Sequence, residues 1–170
     1  MSKIAIIYYS MSGNTKYIAE YLKDKLNADI IRLTPKKEYP NKGLKKFFWG
    51  GKSAVMKETP SLEEYQFNSN KYDIIILGSP IWASTFTPPL RTFIKENNLK
   101  DKHLAVFLSC SGGRTDKAIN NLKKELEIDN FIDTLVLIDP KNKKTKEKDN
   151  QIEIFYNNIK KESDNYGNTK

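Results

Sequence analysis

Short apolar runs rich in β-branched residues constrain the fold of this 170-residue chain more than any other feature. Four of them cover residues 4–9, 74–77, 104–108 and 135–138. Nearly continuous runs of this length are typical of parallel strands that are covered on both faces. A fifth run at 30–33 is interrupted by Arg32, which suits a strand nearer an edge of the sheet. The sequence therefore predicts five strands.

Apolar residues at helical spacing lie between the strand-like runs. They are Ile18, Leu22 and Leu26; Leu90, Phe93 and Ile94; Ile119, Leu122 and Leu126; and Ile152, Phe155, Tyr156 and Ile159. Strands that alternate with helices imply parallel pairing through right-handed crossovers. We therefore expect an α/β fold in which helices cover both faces of an open five-stranded parallel sheet.

Residues 34–71 show the weakest pattern, and we predict a helix followed by a loop. One face of this helix would carry Leu44, Phe47 and Phe48. The glycine pair at 50 and 51 is expected to end it, because glycine is common just past a helix C-terminus. The chain length predicts a single domain over residues 1–163, and the polar residues 164–170 are expected to form a flexible tail.

The net charge of +8 is concentrated in two lysine-rich segments. Residues 36–57 carry +6 and residues 141–148 carry +4, so the rest of the chain carries −2. Solvated surface loops explain this distribution best, and docking of an acidic partner is the alternative. No stretch has the length of a membrane span or the pattern of a signal peptide. We expect a soluble, cytoplasmic protein with no nucleic-acid or membrane partner.

The chain has one cysteine, Cys110, and one histidine, His103. An internal disulfide is therefore excluded, and too few soft ligands are present for a structural zinc or iron–sulfur site. We expect no metal site. Cys110 is expected to be a small loop residue rather than a redox centre, and His103 is expected to be structural.

Short polar side chains follow the first run, where a strand gives way to a helix. Residues 10–15 have the sequence SMSGNT, in which hydroxyl and amide groups surround a glycine. A helix N-terminus exposes unpaired N–H groups and binds anions. Each helix-end charge interaction contributes only about 0.3 to 1 kcal/mol, so several hydrogen bonds are needed to hold a phosphate. The sequence predicts a phosphate site here, and an ordinary helix cap is the alternative.

A segment with an exposed-looking aromatic residue follows the run at 74–77. In residues 78–90, Pro80 stiffens the turn, and Thr87 precedes two prolines that suit the first turn of a helix. The Trp82 ring either packs inward or lies flat against a planar ligand, where stacking adds roughly 0.5 to 1.5 kcal/mol beyond burial. The position of Trp82 alone does not separate these alternatives.

Serine and glycine follow the run at 104–108, in the sequence SCSGGRT at residues 109–115. The two glycines permit positive φ angles and close backbone approach, and the serines add hydrogen-bonding groups. Ligands of open parallel sheets bind outside the carboxyl ends of the strands, where the strand order reverses. We therefore expect the three loops, residues 10–15, 78–90 and 109–115, to meet at one site.

Other site classes are excluded by spacing. The sequence GGKS at 50–53 resembles the end of a nucleotide-binding P-loop, but Lys46 stands where that motif needs a glycine. Cys110 and Arg114 are separated by three residues, which is too few for the phosphate loop of a cysteine phosphatase. Neither segment predicts a catalytic site.

The three loops together resemble the flavodoxin family, which binds FMN. The resemblance rests on the S-x-S-G-N-T loop, on YDIIILGSPIW at the end of the third strand, and on the serine–glycine loop, and it covers nearly all of residues 2–162. Serines 10 and 12 stand where the family more often has threonines. With no long insertion in the fifth strand, the chain is similar to the short-chain group. The resemblance implies strand order 2-1-3-4-5, with FMN at the switch between strands one and three.

The resemblance also implies which residues bind FMN. The phosphate would be held by Ser10, Met11, Ser12, Gly13, Asn14 and Thr15. The isoalloxazine ring would stack on Trp82 and be flanked by Pro80, Ile81, Trp82, Ala83 and Ser84. The pyrimidine edge of the ring would be contacted by Ser109, Cys110, Ser111, Gly112 and Gly113.

Two features depart from the family's pattern. Residues 109–115 contain no aromatic residue, so one flavin face is expected to be open unless Phe47, Phe48 or Trp49 covers it. The chain is basic, whereas electron-carrier flavodoxins tend to be acidic around the flavin. Nearby positive charge would favour an anionic reduced flavin.

The resemblance implies an FMN-binding redox flavoprotein that transfers electrons between protein partners, as a monomer or homodimer. The alternative is an NAD(P)H-dependent reductase of quinones or other small acceptors, and a flavin-free binding module is the least favoured class. The missing aromatic residue favours the reductase. The short single-domain chain, which lacks a dinucleotide-binding fingerprint, favours the electron carrier.

Overall fold

Five parallel strands form the central sheet of the computed structural model. The structure describes residues 3–40 and 43–168, with their side chains except at 43–48 and 167–168. The strands in chain order are β1 (Ile4–Tyr8), β2 (Asp29–Arg32), β3 (Ile74–Trp82), β4 (Thr85–Phe86), β5 (His103–Cys110) and β6 (Thr134–Ile138). The sheet order is β2-β1-β3-β5-β6, and the two-residue β4 pairs antiparallel with the end of β3. Once β4 is set aside, this is the predicted order of five strands.

Helices cover both faces of the sheet, as predicted. They are α1 (Asn14–Leu26), α2 (Gly43–Val55), α3 (Pro88–Glu96), α4 (Asp116–Leu126) and α5 (Lys146–Asn168). Successive side chains of a strand point to opposite faces. Ile6 of β1 accordingly packs in the core that contains α1 and α5, whereas Ile7 packs in the core that contains α3 and α4. Burying each large aliphatic side chain contributes roughly 1.5 to 3 kcal/mol, so both cores stabilise the sheet.

Helix α2 continues past the glycine pair, so the prediction that Gly50 and Gly51 end it is wrong. A Cβ on Gly50 would lie 3.1 Å from Cε3 of Trp82, and one on Gly51 would lie 3.8 Å from Cβ of Ala83. Gly50 therefore allows Trp82 at the end of β3 to pack closely against the helix, whereas a Cβ at Gly51 would make only an ordinary contact. The predicted apolar face at Leu44, Phe47 and Phe48 falls outside the described side chains.

The last turns of α5 pack against the start of β5. The Tyr166 ring meets the His103 ring edge to face, with 5.0 Å between centroids. His103 Nδ1 lies 2.6 Å from a carboxylate oxygen of Glu162. Residues 164–168, which the sequence analysis assigns to a tail, are part of this helix because these contacts hold its end on the sheet.

The lysine-rich segments occupy two connections of the fold. Residues 36–57 include α2, and residues 141–148 connect β6 to α5. None of the helices in the described ranges is long and apolar enough to cross a membrane. Within the same ranges, no group of three or more His, Cys, Asp or Glu side chains could hold a metal ion.

Candidate ligand-binding site

The three predicted loops meet in one cleft at the carboxyl edge of the sheet. Its lining residues are Met11, Ser12, Asn14, Gly51, Pro80, Ile81, Trp82, Ala83, Ser109, Cys110, Ser111 and Gly112. All of them except Gly51 are among the sixteen candidate site residues of the sequence analysis. The loops converge because β1, β3 and β5 are adjacent and parallel, so their carboxyl ends lie side by side.

Five of the sixteen candidates do not line the cleft. They are Ser10, Gly13, Thr15, Ser84 and Gly113. Ser10 is buried, and its hydroxyl accepts hydrogen bonds from the Gly13 and Lys16 N–H groups, both at 3.2 Å. These bonds fold residues 10–15 back on themselves and leave Gly13 with a φ of 91°, a conformation that favours glycine. Ser10 thus shapes the loop from the inside.

Thr15 is also turned inward. Its hydroxyl forms a hydrogen bond of 2.8 Å with the hydroxyl of Ser109, and both side chains are buried. The bond joins the start of α1 to the end of β5, 94 residues further along the chain. Because a buried hydroxyl is costly without a partner, this pair fixes the spacing of two loops of the site.

A fourth loop, which follows β6, reaches the site in addition to the three predicted loops. The side-chain amide of Asn14 donates to the Asp139 carboxylate at 3.1 Å, and the Lys141 N–H donates to the Asn14 amide oxygen at 3.0 Å. A Cβ built on Gly13 would lie 3.2 Å from Lys141 Nζ. The second lysine-rich segment therefore begins directly over residues 10–15.

The position of β6 could have indicated this fourth loop. β6 is parallel to its neighbour β5, so the residues that follow β6 must emerge at the same edge as the other loops. The Asp139 and Asn142 side chains at this position also bond to one another, with the Asn142 amide donating at 2.9 Å. The lysine-rich composition of residues 141–148 is typical of a solvated segment, so the sequence gives no indication of this contact.

Trp82 packs on one side and borders the cleft with the rest of its surface. Its ring meets Tyr9 at a centroid distance of 5.7 Å and Tyr39 at 5.1 Å, both nearly perpendicular. Gly50 of α2 lies against the same ring. Trp82 nevertheless remains partly exposed in the cleft wall. Inward packing of Trp82 and stacking of Trp82 on a planar ligand are thus compatible, because the inward contacts fix the orientation of a ring that still borders the cleft.

The turn between β3 and β4 has an unusual backbone. Ala83 has a φ of 47° and Ser84 a φ of 61°, the left-handed region that tight hairpin turns require. Neither residue is glycine, so the turn stores strain next to the cleft. The buried Ser79 hydroxyl supports the hairpin, since it accepts the Thr87 N–H at 3.0 Å and bonds the Thr87 hydroxyl at 2.9 Å.

Residues 111–113 are open to solvent. Gly112 and Gly113 have φ angles of 131° and 103°, and a Cβ on either would meet no atom within 4 Å. The glycines are therefore required by the backbone conformation and not by crowding. Trp49, one of the three residues named as an alternative cover for the flavin face, is 52% exposed, and the Lys52 ammonium lies 5.9 Å from the centroid of its ring.

Two cations and one carboxylate, Asp139, lie next to residues 10–15. The Arg32 guanidinium donates to the Ser10 carbonyl at 3.3 Å, and Lys141 stands over Gly13. No Asp or Glu occurs among the described residues that line the cleft. Burial raises the pKa values of the Tyr9 and Tyr39 phenols, so both rings remain neutral at physiological pH.

Fold and site together define a doubly wound α/β protein with a ligand cleft at the switch between β1 and β3. A sequence model described as flavodoxin matches residues 3–153. The chain therefore belongs to the flavodoxin family. No curated protein matches it significantly.

Solved structures of flavoproteins share the fold. A flavoprotein from Lactobacillus acidophilus NCFM in complex with FMN is 21% identical, with a TM-score of 0.71 over 80% of this chain and 93% of that chain. Oxidised flavodoxin 2 from Bacillus cereus is 20% identical, with a TM-score of 0.59 over 95% and 99% of the two chains. A flavodoxin from the domain Archaea is 16% identical, with a TM-score of 0.53 over 93% and 97%.

Proposed function

We propose that this chain is an FMN-binding redox flavoprotein that transfers electrons. Membership of the flavodoxin family supports FMN as the cofactor, and the similar Lactobacillus acidophilus structure contains FMN. The observation that carries the proposal is the convergence of the three loops in one cleft, with hydrogen-bond donors at one end and an aromatic wall at the other.

The donors at the start of α1 fit a phosphate group. The first turn of a helix has N–H groups without intrahelical partners, and Gly13 presents no side chain above them. Ser12 lines the cleft, and the Lys141 ammonium over the adjacent Gly13 adds positive charge to the same loop. We assign the phosphate to these groups, with Ser10 and Thr15 holding the loop that presents them.

The middle of the cleft fits a flat ring. The Tyr9 and Tyr39 rings pack nearly perpendicular to the Trp82 ring, so the orientation of Trp82 is fixed before a ligand binds. Pro80, Ile81 and Ala83 continue this wall, and Ser109 and Gly112 border the opposite side. Bound FMN supplies the redox chemistry, while these residues orient the ring and limit its contact with water.

A second candidate function is reduction of a small acceptor with NAD(P)H as the donor. The exposed residues 111–113 favour it, because they leave room beside the proposed ring position. An electron carrier would instead exchange electrons with a redox partner protein. Both candidates use the same FMN site.

Stepwise anaerobic reduction of FMN-loaded protein, followed by absorbance, tests the proposal. Two resolved one-electron steps would support electron transfer between proteins. A single two-electron step would support the reductase. Failure of the purified protein to retain or rebind FMN would contradict both and leave the flavin-free binding module.

A further inference from the structure

A second cavity, with a strongly basic lining, lies beside the proposed FMN cleft. Its volume is about 300 Å³, at the lower limit for small-molecule pockets. We call it the basic pocket. Four of its lining side chains are cationic and one is a carboxylate, namely Lys57, Arg91, Lys117, Lys124 and Glu125.

The basic pocket and the cleft share a wall. Ala83, at the strained turn between β3 and β4, lines both. Helix α2 borders both as well, since Gly51 lines the cleft and Ala54 and Val55, one turn later, line the basic pocket. The two cavities are therefore adjacent, with Ala83 and helix α2 at their common border.

Helix α4 presents one polar stripe to the basic pocket. Lys117, Asn121 and Lys124 are spaced by four and three residues, which places them on one helix face. Neither lysine forms an ion pair with any described carboxylate. A solvated lysine face would have the same pattern, so the stripe alone does not indicate a ligand.

Arg91 distinguishes the basic pocket from an ordinary basic surface. Its side chain is only 3% exposed, with Cζ 4.4 Å from the centroid of the Phe86 ring. Nη1 is paired with the Glu125 carboxylate, whereas Nε is buried without a hydrogen-bond partner among the described residues. A buried donor of this kind is costly when unmet, and phosphate oxygens, like carboxylate oxygens, are strong acceptors for a guanidinium group.

We infer that the basic pocket binds the phosphate groups of a nicotinamide dinucleotide whose ring end lies in the neighbouring cleft. The concave shape suits a small molecule better than the flat surface of a protein, and guanidinium with ammonium groups suits phosphates. The inference rests on the proposed FMN site and supplies the donor subsite of the second candidate function.

The test compares two double variants of equal charge change. Lys117→Gln with Lys124→Gln removes the exposed cations of the stripe and keeps Arg91. Lys160→Gln with Lys161→Gln is the control, because these exposed lysines lie on α5, which packs on the other face of the sheet. Pyrophosphate and NADPH are titrated calorimetrically into FMN-loaded and flavin-free protein, and FMN affinity is measured for each variant.

We expect saturable pyrophosphate binding to both protein forms, and competition between pyrophosphate and NADPH. The stripe variant should weaken both ligands about tenfold and reduce the salt dependence of binding, while the control and the FMN affinity stay unchanged. Equal effects of the two variants, or no pyrophosphate binding to wild type, would overturn the inference.

Two further outcomes separate this inference from neighbouring hypotheses. If the protein binds pyrophosphate but cannot bind FMN, the proposed function is contradicted. The dinucleotide assignment is then contradicted as well, because the nicotinamide ring would have no flavin to contact. Binding of an acidic glutamate peptide at the stripe, with no binding of pyrophosphate, would mean that the basic pocket docks a protein and would likewise overturn the inference.

Discussion

Residues 10–15 and residues 109–115 use the same kinds of amino acid but are built differently. In the first loop, Ser10 and Thr15 are buried and hydrogen bonded, and Asn14 is bonded to the loop after β6. In the other loop, Ser109 and Cys110 belong to the end of β5 and are held in place, whereas residues 111–113 are exposed. One loop is held in place before a ligand arrives, and the other is left open.

The ordered first loop and the open second loop suit the different ligands proposed for them. A phosphate has a fixed shape and charge, and a loop ordered in advance binds it without the entropic cost of ordering side chains, about 0.5 to 1.5 kcal/mol for each one. Residues 111–113 are proposed to lie where a redox partner or a small acceptor approaches the flavin. An open loop there would admit partners of different shape.

Removing the buried hydroxyl of the first loop is expected to have the largest effect. Thr15→Val keeps the side-chain volume but leaves the Ser109 hydroxyl buried without its partner. We expect the free energy of unfolding to fall by about 1 to 3 kcal/mol, measured by urea denaturation. Ser111→Ala removes an exposed hydroxyl of the open loop and should change it by less than about 0.5 kcal/mol. Equal losses of unfolding free energy in the two variants would contradict the conclusion that the first loop is held by buried hydrogen bonds and the other is open.

A matched pair of glycine substitutions separates backbone strain from ligand binding. Gly13 and Gly113 both have positive φ, so alanine should cost about 1 to 2 kcal/mol of stability at either position. Only at Gly13 would the new methyl group approach Lys141 Nζ and cover the N–H groups of α1. We expect Gly13→Ala to weaken FMN binding about tenfold or more in fluorescence titrations. A similar loss for Gly113→Ala would show that crowding over the first loop is not the cause.

Lys141 should strengthen the binding of a phosphate but not of a bare ring. Lys141→Gln removes the ammonium and keeps the backbone N–H that bonds to Asn14. A partly exposed ion pair is worth about 1 kcal/mol, so FMN affinity should fall about fivefold while riboflavin affinity stays unchanged. Lys146→Gln, later in the same lysine-rich segment, should leave both affinities unchanged. Equal losses of FMN and riboflavin would mean that Lys141 supports the fold and not the phosphate.

Sequence patterns predicted the strands and the meeting of three loops because both follow from local features. A buried parallel strand needs a continuous apolar run, and parallel neighbours bring their carboxyl ends to one edge whatever the loops contain. The resemblance to the flavodoxin family added FMN and the division of roles among the loops. These features need no knowledge of which distant side chains meet.

Sequence patterns failed where one residue type has two physical uses. A glycine late in a helical pattern predicts a helix end, but Gly50 lies inside α2 and allows the close approach of Trp82, 32 residues further along the chain. Lys141 belongs to a lysine-rich segment typical of solvated surface, and only the fold brings it over Gly13. Arg91 gives no local signal of burial, because its partners Phe86 and Glu125 lie on different elements.

The smallest predicted effect concerns the contact between the first loop and Asp139. Hydrogen bonds from Asn14 and Asn142 hold the pKa of the Asp139 carboxyl below its usual range. The ionised form therefore contributes stability that is fully present above the usual pKa of about 3.9 and is lost as the pH falls through the lowered folded value. Asp139→Asn lacks this titration and tolerates the positive φ at this position. The wild type should lose slightly more stability than this variant between about pH 5 and pH 2.5 in urea unfolding. The excess is small because the carboxyl is exposed to water, and an identical pH dependence of the two proteins would mean that the first loop is held by its own Ser10 and Thr15 bonds alone.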